Sequence, residues 1–245
     1  MTDAPATVPA AEAPISPVSA VVGTFSRPSE TFRRLVSRPT WWLPLVLFAV
    51  LGLGSNFLVL RKIDWDGAAQ DVIAQRATSG RSIPPEAAPK IAGLMRIFTL
   101  AGGSLFIVAI PFLVALVLWG GTKAFGGEAR YSTLLAITTH SNLPNVVGTI
   151  IAIPVFLSRD DNSVSLQRIY EVMKSNVAAF LPEGAGHALV ALCSSLDIFM
   201  LAALSLAVLG MRTIPALPKG AALAIPVVLW VILVGIKVAL AATRG

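Results

Sequence analysis

Charged side chains are scarce in this sequence. Asp, Glu, Lys and Arg make up 13% of its 245 residues, whereas hydrophobic residues make up 55%. A soluble domain has roughly 25% charged residues, which it needs to cover its surface. The scarcity therefore excludes an ordinary soluble protein. The apolar residues instead come in blocks of about 20, the length of helix that crosses the hydrocarbon core of a bilayer.

Cysteine is almost absent as well. Cys193 is the single cysteine, which excludes intramolecular disulfides and cysteine-rich metal sites. Its place inside an apolar block indicates a packing role. The net charge of +6 comes without a basic stripe interleaved with aromatic residues, so it indicates contact with anionic lipid headgroups and not with nucleic acid. We expect membrane lipids as partners, and neither a metal nor a cofactor.

Recognisable catalytic motifs are missing. The sequence contains no HExxH, GxSxG or P-loop motif, and no pair of aspartates inside its apolar blocks. The first forty residues also contain no apolar segment typical of a cleavable signal peptide. We therefore expect a protein that is not an enzyme, with its first transmembrane helix acting as the insertion signal.

Five apolar segments predict an all-α membrane bundle with five transmembrane helices. Aromatic residues at several segment ends suit the headgroup level, and prolines inside the segments are tolerated in lipid at the cost of kinks. Residues 1–24 are rich in Ala and Pro and predict a disordered tail, whereas residues 25–245 predict one membrane domain. The five predicted spans are residues 41–60, 97–120, 133–157, 188–209 and 221–241.

A short amphipathic segment, residues 26–38, precedes the first span. Phe32 and Leu35 recur in it at helical spacing. Two interpretations are equally open: an amphipathic helix that lies in the membrane interface with its basic residues among the phosphates, or a cap that packs on the mouth of the bundle. The interleaved basic residues are Arg33, Arg34 and Arg38.

The connections between spans predict the topology. Two long connections, residues 61–96 and 158–187, fall on one side of the membrane, and the second contains helical spacing near residues 166–173. The two short connections fall on the other side with the N-terminus. Because four arginines precede the first span, we expect a cytoplasmic N-terminus and an outer C-terminus. A high ratio of Arg to Lys and abundant Ala indicate a GC-rich bacterium, and hence the bacterial cytoplasmic membrane.

Several short motifs follow one another in a distinctive order. They are the segments Phe25–Pro28, Ile63–Trp65, Phe125–Gly127, Thr139–Pro144 and Leu196–Phe199. This order resembles the bacterial branch of the Yip-domain family (Ypt/Rab-interacting membrane proteins). The resemblance implies five transmembrane helices, a cytoplasmic N-terminus and no known catalytic activity. Eukaryotic members are tied to Rab-type GTPases through a long cytosolic N-terminal region. That region is short here, so we do not carry over a GTPase partner.

Polar side chains inside the predicted spans are candidate functional groups, because such groups are costly in hydrocarbon. A stripe at helical spacing runs along the third span, bordered by His140 and Asn142, and Asp197 lies about midway along the fourth span. Lys237, in the last turns of the fifth span, is expected to extend towards the interface. The residues of the stripe are Thr138, Ser141, Asn145 and Thr149.

These polar residues allow two interpretations. His140 and Asp197 could face each other across the third and fourth helices and relay a proton or bind a cation. Alternatively, the cluster of His140, Ser141, Asn142, Asn145 and Asp197 hydrogen-bonds between helices and fixes their register, which is the interpretation we favour.

Two functions follow from these interpretations. The first is a non-enzymatic membrane scaffold or adaptor that contacts lipids or other membrane proteins. The second is a small transporter or proton-coupled channel that uses His140 and Asp197. The sequence leaves the oligomeric state open.

Overall fold

A computed structural model of the chain describes residues 15–78, 80, 83–158, 174–182 and 184–243. These described residues form an all-α structure of ten α-helices, with short 3₁₀ helices at Pro85–Ala87 and Val177–Phe180. The α-helices are α1 (Pro17–Ser26), α2 (Pro28–Ser37), α3 (Trp42–Arg61), α4 (Trp65–Thr78), α5 (Ala88–Ala124), α6 (Tyr131–Ser141), α7 (Leu143–Leu157), α8 (His187–Cys193), α9 (Ile198–Met211) and α10 (Lys219–Ala242).

Four helical segments in the described part of the chain are long and apolar enough to cross a membrane. They correspond to the first, second, third and fifth predicted spans, and the predicted fourth span, residues 188–209, is divided between α8 and α9. The count of five crossings therefore stays a prediction. The four segments are Trp42–Arg61, Pro85–Ala124, Tyr131–Leu157 and Lys219–Ala242.

The break between α8 and α9 has a local cause. Ser194 and Ser195 both donate their hydroxyls to the carbonyl of Ala191, at 3.1 and 2.8 Å, and such bonds compete with the helical ladder. Asp197 then adopts an extended conformation and caps α9, as Asp residues favour. A backbone freed in this way must find other partners inside a membrane protein. The segment at residues 175–177 supplies them: Val177 N–H donates to the carbonyl of Leu196 at 3.3 Å, and the carbonyl of Ser175 accepts from Ile198 N–H at 3.1 Å.

The long connections lie at one end of the bundle and the short connections at the other. Lys62 donates its ammonium group to the carbonyl of Phe156 at 3.2 Å, so the start of the first long connection lies beside the end of α7, where the second long connection begins. At the other end, Glu128 N–H donates to the carbonyl of Pro215 at 3.0 Å and joins the two short connections. The first and last described helices, α1 and α10, therefore end on opposite sides of the bundle.

The N-terminal segment differs from the predicted disordered tail. Residues 17–24 belong to α1, because Ser16 caps this helix by accepting from Ser19 N–H at 3.1 Å and Pro17 suits its first turn. Ala20 and Thr24 are completely buried. Residues 1–14 lie outside the described residues, as does the helical spacing predicted near residues 166–173.

Helix α2 occupies the predicted amphipathic segment and packs on protein. Phe32 and Leu35 are completely buried in a core at the end of the bundle that carries the short connections. A Cβ atom at Gly210 would lie 3.1 Å from the ring of Phe32, so this glycine allows α2 to approach α9 closely. Of the two interpretations of this segment, the packing therefore favours a cap on the bundle over a helix whose apolar face lies in lipid.

Candidate functional site

The polar stripe begins at a break between α6 and α7. Pro144 has no N–H group to donate to the preceding turn, so α6 ends at Ser141 and α7 starts anew at Leu143, with Pro144 in its first turn. Asn142 lies at the junction, and its side-chain oxygen accepts a hydrogen bond from Asn145 Nδ2 at 2.6 Å. The break therefore holds two amides inside an otherwise apolar bundle.

A cavity of about 390 Å³ lies beside this break. Its volume falls within the range of roughly 300–1,000 Å³ found for small-molecule sites. Side chains from α3, α5, α6, α7, α9 and α10 line it, and the described lining residues include no acidic, basic or histidine side chain. We call it the central cavity. Its polar wall consists of Thr138, Thr139, Ser141, Asn142 and Asn145, with Trp230 on α10.

Three polar atoms of this wall have no hydrogen-bond partner among the described residues. They are Thr138 Oγ1, Ser141 Oγ and Trp230 Nε1. Thr138 and Ser141 are 9% and 4% exposed, so bulk water does not solvate them. An unsatisfied buried polar group costs about 1–3 kcal/mol, and native proteins rarely retain several in one place without a use for them.

His140 lies next to this wall without lining the cavity. Its side chain is completely buried, and its Nδ1 lies 2.9 Å from the carbonyl oxygen of Ala136. Because a carbonyl only accepts, Nδ1 carries a proton and donates this bond. Nε2 has no partner among the described residues. The one hydrogen bond of the His140 side chain among the described residues is therefore made within α6.

Asp197 is the N-cap of α9. The sequence had predicted a position about midway along a continuous fourth span. One carboxylate oxygen accepts from Phe199 N–H and Met200 N–H, at 2.8 and 3.3 Å. The other accepts from the hydroxyl of Ser175. These donors satisfy the carboxylate and anchor the long connection to the start of α9, so Asp197 has a structural role in the fold.

The structure does not bring His140 and Asp197 together. Helix α6 runs antiparallel to α9, with Ile137 beside Gly210, and α7 continues along α9 with Gly148 beside Phe199. His140 lies near the first of these contacts and Asp197 just beyond the second. The two side chains are therefore about 15 Å apart along the bundle, since about ten residues at a rise of 1.5 Å separate their levels.

The arginines of α2 lie on its outer side. Arg33 and the capping residue Arg38, which follows the last residue of α2, are exposed, and Arg34 forms an ion pair with Glu30 at 2.8 Å. Exposed arginines at the end of a membrane bundle are placed where lipid headgroups would meet them, although α2 itself packs on protein.

Sequence patterns located part of this site. Of the predicted stripe, Thr138, Ser141 and Asn145 line the cavity, as does the neighbouring Asn142. Thr149 donates back to the carbonyl of Asn145 at 2.9 Å and is not among the lining residues. The contribution of Trp230 was missed because a single indole within an apolar run carries no signal of its own. The break at Asp197 did have a sequence signal, because Ser and Asp before an apolar run are typical of a helix start.

The described residues include no group of three or more His, Cys, Asp or Glu side chains that could hold a metal ion. Cys193 is buried and unpaired, as its sequence context predicted. The fold and its polar groups therefore define a polytopic α-helical membrane protein with an uncharged cavity between its helices.

The chain belongs to the Yip1 domain family. The family model matches residues 22–240, which confirms the resemblance seen in the sequence, and membrane proteins of this family are not known as enzymes. Among curated proteins, the chain is similar to Membrane protein YknW of Bacillus subtilis (strain 168). The two are 24% identical over 212 residues, which cover 86% of this chain and 85% of that protein. No solved structure matches the chain significantly.

Proposed function

We propose that this protein is a non-enzymatic membrane adaptor that holds a partner protein against the bilayer through α4 and the first turns of α5. The observation that carries the proposal is the length of α5. Its 37 residues extend for about 55 Å at 1.5 Å per residue, whereas the hydrocarbon core is about 30 Å thick. The start of α5 therefore extends beyond the hydrocarbon core.

Helix α4 is held firmly beside this projection. Trp65 donates its indole N–H to the carbonyl of Leu60 at 3.2 Å, and Asp64 accepts from Gly67 N–H at 2.9 Å. These bonds fix the angle at which α4 leaves α3. A rigid projection loses little conformational freedom on binding, which favours recognition of a partner.

The surface of the projection suits a protein partner. Asp66, Asp71 and Arg76 are exposed along α4, and Phe98 on α5 is 72% exposed near its base. A surface that exposes charges of both signs on one helix and an aromatic side chain on the next resembles a protein interface more closely than a surface for anionic lipid alone.

Site-specific photocrosslinking in native membranes tests this proposal. A photoreactive residue at Gln70 or Ala74, both exposed on α4, should yield a protein adduct. One at Phe106, which is 61% exposed in the apolar part of α5, should yield lipid adducts. The substitution Asp71→Lys should reduce the protein adduct several-fold, whereas Glu128→Lys, at the opposite end of the bundle, should not. If no α4 position gives a protein adduct, the adaptor proposal fails.

The alternative is a small transporter that uses His140 and Asp197. The separation of these residues and the capping role of Asp197 argue against it. Proteoliposomes that contain the purified chain should show no proton flux above empty vesicles. A proton flux that His140→Ala and Asp197→Asn each abolish, without loss of fold, would favour the transporter over the adaptor.

The proposed orientation in the bacterial cytoplasmic membrane places the N-terminus inside. The end of the bundle that carries α1 and α2 holds Arg27, Arg33 and Arg38, all exposed. Basic residues near the first span favour the cytoplasmic side. In this orientation α4 faces outward, so the partner is a protein of the outer face or of the membrane itself.

A further inference from the structure

The central cavity has the features of a binding site that the adaptor function leaves unused. It contains buried hydrogen-bond donors and no described charged group. A charged ligand would lose its hydration there without an opposite charge to compensate. The occupant is therefore neutral, and most of its surface is apolar.

The unpartnered atoms specify the polar part of the occupant. The indole N–H of Trp230 only donates, and the hydroxyls of Thr138 and Ser141 both can donate. All three are buried without a partner among the described residues. A ligand oxygen that accepts hydrogen bonds, such as a carbonyl, satisfies this set, whereas a saturated hydrocarbon leaves it unsatisfied.

Two residues that line the cavity are exposed on the side of the bundle. Met200 on α9 and Leu233 on α10 line it, yet they are 39% and 46% exposed. Both lie within the apolar part of the bundle, where an exposed side chain faces lipid. A molecule dissolved in the bilayer can therefore enter between α9 and α10 and leave an apolar chain in the membrane.

From these observations, we propose that the central cavity binds a neutral, membrane-dissolved amphiphile whose carbonyl oxygen accepts from Thr138, Ser141 and Trp230, with its apolar chain passing between Met200 and Leu233. Two sources offer this chemistry: a prenylated or alkylated quinone, and the ester of a neutral acylglycerol. The proposal is independent of the partner protein, because α4 and the cavity share no residue.

Tryptophan fluorescence of the full chain in lipid nanodiscs tests the proposal. In a variant that retains only Trp230, with the other tryptophans changed to Phe, decylubiquinone or a brominated monoacylglycerol should quench the fluorescence saturably. The probe that saturates identifies the source. A variant that retains only Trp119, which packs in the core at the end of the bundle that carries the short connections, reports non-specific quenching and should give a linear response.

Substitutions in the wall separate binding from folding. Thr138→Val with Ser141→Ala removes two donors at nearly constant volume, so it should weaken binding about tenfold or more. It should leave the melting temperature unchanged or higher, because the lost groups had no partner. Ala203→Leu fills the cavity and should abolish saturation, whereas Ala202→Leu, on the exposed side of α9, should not.

Three results would overturn the proposal. The first is linear quenching of Trp230 by both carbonyl probes, which would mean partition into the bilayer only. The second is equal saturation by a bromoalkane, which has no acceptor. The third is unchanged affinity in the Thr138→Val, Ser141→Ala variant.

Discussion

Lys237 donates its ammonium group to Ser194 Oγ at 2.8 Å, and so ties the last turns of α10 to the break between α8 and α9. Ser195 Oγ accepts from the same group at 3.1 Å. The sequence predicted a lysine that extends towards the interface. The break provides hydroxyls at its level, and no carboxylate of the described residues lies within ion-pair distance of Lys237.

This relationship predicts an energetic coupling. The double substitution Ser194→Ala, Ser195→Ala should lower the free energy of unfolding by about 1–2 kcal/mol, because it leaves the ammonium group without acceptors. In a Lys237→Met background the same substitution should cost almost nothing. Unfolding in SDS of the four variants measures the coupling. Equal costs in both backgrounds would show that the serines act without Lys237.

The capping role of Asp197 predicts different effects for two substitutions. Asp197→Asn keeps a side-chain oxygen for Phe199 N–H and should cost little, whereas Asp197→Ala should destabilise the protein by about 1–2 kcal/mol. Thermal unfolding in detergent measures both. If Asp197 relayed a proton, Asp197→Asn would abolish function although the protein kept its normal stability.

The close approach at Gly210 predicts a steric cost. A Cβ atom there would lie 2.7 Å from Ile137 Cγ2, so Gly210→Ala should destabilise the bundle by about 1–3 kcal/mol. Ile137→Ala should recover part of this loss by making room for the new methyl group.

Gly235 offers a matched control for this prediction. It also lies within a helix, but among the described residues no heavy atom beyond its own helix backbone and chain neighbours would come within 4 Å of its Cβ. Gly235→Ala should therefore be neutral or stabilising, because alanine favours the helix. Equal destabilisation by both alanines would contradict the packing of α2 and α6 against α9.

The bundle predicts that its two termini lie on opposite faces of the membrane. In a Cys193→Ala background, a cysteine at Ser26 should be protected from an impermeant reagent in intact cells, whereas one at Thr243 should react. Both positions are exposed. Reaction of both cysteines from the same face would mean that α8 and α9 do not complete a crossing.

Much of the fold follows from residue patterns that act locally. Runs of apolar residues fix α3, α5 and α10, because a helix in lipid satisfies its own backbone whatever its neighbours are. The break at Pro144 has an equally local cause in the missing N–H group. The division of the fourth span was harder to foresee, since Ser and Asp are tolerated in a helix when other helices hydrogen-bond to them.

The candidate site was predictable only in part. The spacing of Thr138, Ser141 and Asn145 places them on one face of a helix by geometry alone. Nothing in that spacing says that the face meets Trp230 across a cavity, or that Asp197 lies at another depth from His140. Those relationships depend on the register between helices that are distant in sequence.

The sequence by itself determined that this chain is a membrane protein, because the free energy of transferring its apolar blocks from water to lipid depends on composition and length. It also placed Thr138, Ser141 and Asn145 on one face of a helix, because that follows from their spacing alone. The tertiary structure alone decided that α2 packs on protein, that Asp197 caps a helix, and that three donors surround an uncharged cavity. The reason is physical: which side chains satisfy one another depends on how the helices pack, and packing is a property of pairs of surfaces that no single segment encodes.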